Sequence, residues 1–448
     1  MMKKLICNAN IVNEGQIFKG TVLINHDKIE HVYRDGEQIE LKNPVEKIEA
    51  EGLWLMPGVI DDQVHFREPG LTYKGDIYTE SKAAVAGGVT SYMEMPNTKP
   101  QTTTLELLEE KNELAASKSL ANYSFYLGAT NMNIRDLIKV DPGKICGVKV
   151  FMGSSTGNML VDDLEILNRI FAEVPALIAV HCEDEPTILK NLNYYKNIYG
   201  ENIGCEFHPL IRSEEACYKS SSFAVELAEK HGTRLHVLHL STAREMSLFR
   251  NDIPLKDKKI TAEACVHHLW FSSNDYARYG SRIKWNPAIK TEADRLALIE
   301  AVNNGKIDVV ATDHAPHAQD EKKGNCYKSY SGGPLVQHSL PAMLQLARQG
   351  YFSIEKVVEK MCHAPADLFH VHRRGYIRPD YYADLILVDP QSPQLVTAQN
   401  LLYKCGWSPF EGTTFDAAVV TTFVNGIKVF DRGEWNEDHK GKRLTFDI

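Results

Sequence analysis

The stretch Val59-Ile60-Asp61-Asp62-Gln63-Val64-His65-Phe66-Arg67-Glu68-Pro69-Gly70 decides the fold and marks the polar centre of the chain. Asp61, Gln63, His65 and Arg67 stand at alternate positions, so an extended strand would place their side chains on one face. A carboxylate, an amide, an imidazole and a guanidinium on one face suit a site that holds a metal ion and an anion. The alternative is an edge strand with a solvated face.

Strand-like and helix-like segments alternate from about residue 58 to about residue 360. The predicted strands are 59–65, 89–95, 123–129, 145–151, 176–182, 234–240, 258–264 and 307–312. The predicted helices between them include 77–87, 104–117, 162–173, 213–231 and 291–304. Eight such units over roughly 300 residues are typical of an α/β fold of the TIM-like (β/α)8 barrel type. A doubly wound sheet is disfavoured, because no Gly-x-Gly-x-x-Gly follows the first strand.

The two ends of the chain carry short strand patterns instead. Asn425-Gly426 between two apolar runs is a strong hairpin signal. Each end is too small to bury a sheet face alone, so we expect the two to form one small β-rich domain. The predicted division is residues 1–56 for its N-terminal part, 57–364 for the barrel and 365–448 for its C-terminal part.

Composition excludes several classes of function. The 448 residues are 43% hydrophobic and 24% charged, which is ordinary for a globular protein. A net charge of -9 leaves no basic surface for nucleic acid, and no apolar run approaches the ~20 residues that span a membrane. Asn8, Asn10 and Asn13 interrupt the apolar start too early for a signal peptide. Nine cysteines, an odd number, favour reduced thiols, so we expect a cytoplasmic protein.

Five metal-competent side chains fall at the ends of predicted strands: His65, Lys149, His181, His239 and Asp313. Catalytic groups of barrel enzymes sit at the C-terminal ends of the strands. Imidazole and carboxylate bind zinc, and zinc-bound water ionises near neutral pH. Asp313 is the candidate that takes a proton from this water and returns it to a leaving nitrogen. Lys149 would serve only as a carbamate, an anion able to bridge two metal ions.

The chain resembles the dihydroorotases of the amidohydrolase superfamily over nearly its whole length. The matching segments are Pro57-Gly58-x-Ile60-Asp61, His65-Phe66-Arg67-Glu68-Pro69-Gly70, Gly87-Gly88-Val89-Thr90, Met95-Pro96-Asn97-Thr98, Lys149-Val150-Phe151-Met152, His181-Cys182-Glu183, His239-x-Ser241-Thr242, Thr261-Ala262-Glu263, His267-His268-Leu269, Asn286-Pro287, Asp313-His314-Ala315-Pro316-His317 and Trp407-Ser408-Pro409-Phe410-Glu411-Gly412. The specific part is residues 66–70 together with 95–98. The metal positions alone would equally suit hydantoinases or allantoinases.

The resemblance implies a reaction and a set of roles. The family closes N-carbamoyl-L-aspartate reversibly to L-dihydroorotate in pyrimidine synthesis. It implies one or two zinc ions on the five strand-end residues, with Lys149 as a carbamate, and a homodimer. Arg67, Asn97 and His317 would bind the substrate carboxylate, and Asn286 would contact the ring. The planar fork of arginine is an independent physical reason for the role of Arg67.

One position departs from the family pattern. The usual His-x-His motif is replaced by Gln63-Val64-His65, and an amide oxygen is a weaker zinc ligand than imidazole. Gln63 is therefore a doubtful ligand. Either one metal site binds weakly and the enzyme works with one firmly held zinc, or Gln63 orients a water or a neighbouring ligand.

Other interpretations stay open from the sequence. The chain could be a hydantoinase or allantoinase, or a silent dihydroorotase-like scaffold partner of aspartate transcarbamoylase. Lys149 could pair with a carboxylate instead of carrying a carbamate. We expect His236 to face away from the site and His314 to be structural, while His267 and His268 receive no role. Residues 190–212 contain no motif and would cover the site or form a subunit contact.

Overall fold

The structure is a computed structural model that describes residues 2–41, 44–153 and 159–448. The strands are β1 Lys3–Asn13, β2 Gln16–Asn25, β3 Lys28–Arg34, β4 Val45–Glu49, β5 Trp54–Pro57, β6 Val59–Val64, β7 Val89–Glu94, β8 Asn122–Phe125, β9 Leu127–Gly128, β10 Val148–Phe151, β11 Ile178–His181, β12 Leu235–Val237, β13 Ile260–Cys265, β14 Val309–Ala311, β15 Leu385–Asp389, β16 Gln394–Leu395, β17 Thr414–Phe415, β18 Ala418–Val424, β19 Ile427–Asp431 and β20 Glu434–Trp435.

The α-helices are α1 Ile77–Ala86, α2 Leu105–Lys118, α3 Ile134–Leu137, α4 Leu164–Glu173, α5 Glu185–Tyr199, α6 His208–Ile211, α7 Glu214–His231, α8 Val266–Trp270, α9 Tyr276–Tyr279, α10 Glu292–Asn304, α11 Ser339–Arg348, α12 Ile354–Val358 and α13 Ala364–Phe369. A π-helical turn, Glu359–His363, joins the last two. Polar side chains cap the long helices as expected, with Asp76, Thr104 and Thr291 accepting from the first turns of α1, α2 and α10.

The strands β6 to β14 form a parallel barrel. β6, β7 and β8 pair in that order, and β9 to β14 pair in chain order. Only Tyr126 separates β8 from β9, and a parallel bridge between Val64 and His314 joins the last strand to the first. The predicted (β/α)8 barrel is confirmed.

The two chain ends share a second sheet. Its strand order is β20-β19-β18-β15-β5-β1-β2-β3, with β4 also beside β1. The chain passes from this sheet into the barrel at Gly58, whose amide donates to the Asp384 carbonyl at 2.8 Å. A Cβ at Gly58 would lie 2.0 Å from Thr90 Oγ1, so this crossing requires glycine. The exact domain boundaries remain a prediction.

Strand alternation points the site residues inward. In β10, Val148 and Val150 belong to the apolar core while Lys149 lies between them and lines a cavity. Ile178 and Val180 pack in the same core ahead of His181. Burying each such valine or isoleucine stabilises the fold by roughly 1.5–3 kcal/mol, which holds the polar residues in place.

Two further observations concern the whole chain. All nine cysteines are unpaired. Among the described residues, no helix combines the length and the apolar character needed to cross a membrane.

Candidate active site

A cavity of about 760 Å³ opens at the C-terminal ends of the barrel strands. All ten predicted site residues line it: Gln63, His65, Arg67, Asn97, Lys149, His181, His239, Asn286, Asp313 and His317. Of the four alternating residues in the opening stretch, Asp61 is the exception. Its carboxylate accepts from Thr312 Oγ1 at 2.7 Å and does not line the cavity.

His65 and Asp313 meet at one side of the cavity. His65 Nδ1 lies 2.8 Å from Asn97 Oδ1, and an amide oxygen only accepts, so Nδ1 carries the proton. This leaves the lone pair of His65 on Nε2, 3.1 Å from Asp313 Oδ1. The same oxygen accepts from Gln63 Nε2 at 3.3 Å. The Gln63 side chain therefore contacts Asp313 through its amide nitrogen.

His181 and His239 form a second pair. His181 Nε2 lies 3.1 Å from Glu183 Oε2, and the charge of this carboxylate favours a proton on that nitrogen, although the contact does not have hydrogen-bond geometry. The unprotonated Nδ1 of His181 then faces His239 Nε2 at 3.0 Å. Although burial raises the pKa of Glu183, the Arg212 guanidinium and His181 lower it to about 2, so Glu183 stays ionised.

These residues fit a metal ion. Imidazole and carboxylate are zinc donors, and two ligands of one tetrahedral zinc lie roughly 3.3 Å apart. Two nitrogens at 3.0 Å, one of them without a proton, need a proton or a cation between them. His239 Nδ1 is buried and has no hydrogen-bond partner among the described residues. Burial lowers the pKa of both His181 and His239, which favours the neutral, metal-binding form.

Lys149 lines the same cavity and is 1% exposed. Burial lowers its pKa to about 7, against the opposing effect of the Asp313 and Glu263 carboxylates. Its ammonium nitrogen is 4.8 Å from the centre of the Phe151 ring. A substantial fraction of Lys149 is therefore a neutral, nucleophilic amine at neutral pH.

Another part of the cavity wall, formed by Arg67 and Lys74, is cationic. Arg67 Nε donates to the Pro316 carbonyl at 3.0 Å, and Arg67 Nη2 lies 3.2 Å from His317 Nε2. Lys74 Nζ is 2.9 Å from Glu321 and 3.1 Å from His317 Nδ1. Burial lowers the pKa of His317 to about 3, so this ring is neutral. The Glu321 carboxylate offsets only one of the two positive charges of Arg67 and Lys74, so this part of the wall carries a net positive charge.

Asn286 is positioned by the segment without a motif. His208, in α6, lies with Nε2 2.7 Å from the Trp285 carbonyl and 3.1 Å from Asn286 Oδ1. Residues 190–212 thus reach the cavity through this buried ring. No sequence signal pointed to His208 or to Lys74, since neither lies at a strand end.

Three site residues have left-handed backbone conformations. The φ angles are +74° at Arg67, +40° at His239 and +46° at Asp313. Such conformations cost of order 1–3 kcal/mol for residues other than glycine and cluster at functional sites. They bring side chains that follow the strands back toward the cavity.

The remaining histidines lie outside the cavity. His314 Nε2 is 2.9 Å from Glu80 Oε2, and its Nδ1 accepts from the Leu335 amide at 2.9 Å. His236 lies with Nε2 3.2 Å from Asp62 Oδ2 and 3.7 Å from Glu263 Oε2.

His236 is doubly protonated. Its Nδ1 is 2.9 Å from Thr261 Oγ1, and this hydroxyl already donates to the Leu235 carbonyl, so Nδ1 must donate. Burial lowers the pKa of His236, but Asp62 and Glu263 raise it to about 9. The imidazolium therefore offsets one charge of the buried pair Asp62 and Glu263, while burial and Asp62 raise the pKa of Glu263. Glu263 Oε1 in turn accepts a hydrogen bond from the His239 backbone amide at 2.8 Å.

The comparisons with known proteins identify the family of the chain. Residues 54–429 match the amidohydrolase family. A dihydroorotase of Methanosarcina mazei is 33% identical over 417 residues, which are 91% of this chain and 90% of the relative. A dihydroorotase of Carboxydothermus hydrogenoformans is 32% identical over 440 residues, 96% and 99% of the two chains.

Solved structures share the architecture. The L-hydantoinase (dihydropyrimidinase) from Arthrobacter aurescens superposes with a TM-score of 0.90 at 27% identity, covering 97% of this chain and 98% of the other. The chain belongs to the amidohydrolase family and is a cyclic amidohydrolase. Within this family it stands with the dihydroorotases, as the motif resemblance predicted.

The buried imidazolium predicts a pH-dependent contribution to stability. Replacing His236 with Asn leaves Asp62 and Glu263 without a counter-charge, which should lower the free energy of unfolding by about 3–5 kcal/mol near neutral pH. Because the folded pKa is raised, this contribution is complete below about pH 6.5 and is lost as pH rises through about 9.

Urea unfolding of the wild type and the variant at about pH 6.5 and about pH 9.5 measures the difference. His231→Asn, a change at the end of α7, is the control for loss of a histidine outside this cluster. An equal difference at both pH values would mean that His236 acts by packing alone.

Proposed function

We propose that this cyclic amidohydrolase is a dihydroorotase that interconverts N-carbamoyl-L-aspartate and L-dihydroorotate in pyrimidine biosynthesis. One observation supports this most strongly: the cavity joins a cluster of metal-competent groups to a cationic wall. A cyclic amide that also carries a carboxylate needs both. The dihydroorotase names of the sequence relatives agree with this substrate.

The substrate carboxylate binds at the cationic wall. The Arg67 side chain contacts the Pro316 carbonyl through Nε and His317 through Nη2. These two residues hold the guanidinium in place. Asn97 uses its amide oxygen for His65, which leaves its NH2 group to donate to the substrate. The amide oxygen of Asn286 is held in the same way by His208. Asn286 contacts the ring of the substrate.

Zinc is the proposed cofactor, as one or two ions. The residues that would hold it are His65, Lys149, His181, His239 and Asp313. Membership of the amidohydrolase family, which typically uses metal ions, supports a metal cofactor in general terms. When bound, zinc supplies a water that ionises near neutral pH. The likewise proposed carbamate on Lys149 requires a neutral amine, and the lowered pKa of about 7 provides one.

Asp313 moves the proton. In hydrolysis, its carboxylate takes a proton from the attacking water and delivers it to the ring nitrogen as the amide bond breaks. In cyclisation the same proton travels back. Gln63 donates to Asp313 Oδ1 at 3.3 Å, and we propose that this contact orients the carboxylate.

Gln63 also bears on the metal count. The amide nitrogen of Gln63 donates a hydrogen bond to Asp313. We propose that His65 and Asp313 alone anchor their side of the site, so that the ion held by His181 and His239 is the firmer of the two. The proposed homodimer and the cytoplasmic location remain predictions.

A hydantoinase or dihydropyrimidinase is the second candidate, because solved structures of that kind share the fold. Hydantoin and dihydrouracil lack the carboxylate for which Arg67 and Lys74 supply charge. A catalytically silent scaffold would not need the five strand-end residues to converge, yet all five line the cavity.

A matched pair of substrates tests the carboxylate assignment. Dihydrouracil is dihydroorotate without its carboxylate, so the wild type should hydrolyse dihydroorotate with the higher kcat/KM. Arg67→Gln removes a charge-assisted hydrogen bond worth about 1.5–3 kcal/mol, which is a loss of roughly 10- to 150-fold with dihydroorotate. Steady-state assays with both substrates measure this loss.

The control for charge alone is Lys99→Gln, at the exposed rim of the same cavity. It should change either rate by less than a few-fold. A wild type that prefers dihydrouracil, or an Arg67→Gln variant that keeps its selectivity, would refute the dihydroorotase assignment in favour of the second candidate.

Loss of the proposed carbamate on Lys149 should be partly reversed by short carboxylic acids. Lys149→Ala should lower turnover by more than about 100-fold, the upper end of what loss of a metal-orienting partner alone costs. Acetate or propionate should restore part of the activity by entering the space of the carbamate, while chloride should not. Full activity of Lys149→Ala without added acid would exclude the carbamate.

A further inference from the structure

Three metal-competent side chains lie together outside the cavity. Cys265 ends β13, and His267 and His268 follow in the first turn of α8. One ligand atom from each lies within 4.8 Å of the other two, and all three residues are at most 2% exposed. None of the three lines the cavity.

The two histidines have unused nitrogens. Neither ring nitrogen of His267 has a partner at full hydrogen-bond geometry within the described part of the chain, although the Thr312 backbone lies beside this ring. His268 Nδ1 has no partner there either. A buried polar atom without a partner costs about 1–3 kcal/mol. A natural sequence keeps such atoms when a function or a ligand uses them.

The orientation of His268 is that of a metal ligand. Its Nε2 lies 3.1 Å from the Pro287 carbonyl, which can only accept, so Nε2 carries the proton and Nδ1 the lone pair. Metal-binding histidines usually donate their other nitrogen to a carbonyl or carboxylate in this way. The His267 ring is also fixed, stacked on Trp285 with centroids 4.4 Å apart and planes at 17°.

Cys265 connects this cluster to the position where the chain departs from the family. Its Sγ lies 3.3 Å from Glu263 Oε1 and 3.7 Å from Gln63 Oε1. Either oxygen is close enough to the sulfur for both atoms to bind one metal ion. The sulfur therefore lies just behind the side chain that replaces the usual histidine.

The other buried cluster does not offer a comparable site. Asp62, His236 and Glu263 also bring three ligand atoms within 4.8 Å of one another. Both nitrogens of His236 already donate, one to Thr261 and one to Asp62. A doubly protonated ring has no lone pair for a metal.

We propose that Cys265, His267 and His268 form a second zinc site, closed to solvent, with an oxygen of Glu263 or Gln63 as the fourth ligand. One thiolate and two imidazoles are a typical donor set for zinc. Binding releases the thiol proton of Cys265 to solvent. Ligand atoms in a tetrahedral zinc site lie roughly 3.3–3.8 Å apart, so atoms that already lie within 4.8 Å of one another need to approach by no more than about 1.5 Å.

This site is structural and independent of the reaction proposed above. A closed site without an open position for water binds no substrate. It would tie the start of α8 to the end of β13 and brace the wall behind Gln63. Its metal would differ from that of the cavity in having a sulfur ligand, because no cysteine lines the cavity.

Cobalt(II) distinguishes the two sites by their absorption. The full chain, stripped of metal and loaded with Co²⁺, should show thiolate-to-cobalt charge transfer in the near ultraviolet. Cys265→Ser should lose this band and bind one zinc fewer per chain than the wild type. Cys362→Ser is the matched control, because Cys362 is equally buried and its thiol donates only to the Pro57 carbonyl.

The wild-type spectrum decides the proposal even if Cys265→Ser fails to fold. Absence of the band in a fully loaded wild type, or its persistence in Cys265→Ser, would overturn the site. His268→Gln, which keeps the thiol, should also bind one zinc fewer. Because these readouts are absorption and metal content, they stand whether or not dihydroorotate is the substrate.

Discussion

The structure depends on burying ionisable groups at the mouth of an apolar barrel. His65, Lys149, His181, His239 and Asp313 converge there with side chains that are at most about a tenth exposed. Burial disfavours every charged form, so it lowers the pKa of Lys149 to about 7 and that of each of the three histidines. This environment would suit the proposed zinc, because neutral imidazoles and a neutral amine are the forms that a metal and a carbamate require.

A second layer of buried groups holds the first. The charge of Glu183 favours one tautomer of His181, Asn97 Oδ1 accepts from His65 Nδ1, and Glu263 accepts from the His239 amide. Glu263 is itself balanced by the imidazolium of His236 beneath the cavity. The chemistry at the strand ends therefore rests on hydrogen bonds that reach into the centre of the barrel.

Much of this arrangement could be predicted from the sequence, because strand ends in a barrel meet at one place. That rule alone brings His65, Lys149, His181, His239 and Asp313 together. It could not predict the φ of +74° that returns Arg67 to the cavity, since simple alternation ends with β6 at Val64. His208 and the contact between Cys265 and Gln63 join segments far apart in the chain, and no local pattern encodes such contacts.

The most direct test removes zinc from the purified chain and titrates it back while dihydroorotate turnover and Tm are measured on the same samples. The account predicts that both fall with the chelator and recover together with zinc. Stabilisation should reach about 2.7 kcal/mol at zinc 100-fold above its Kd. Turnover that survives complete removal of metal, with an unchanged Tm, would contradict the account.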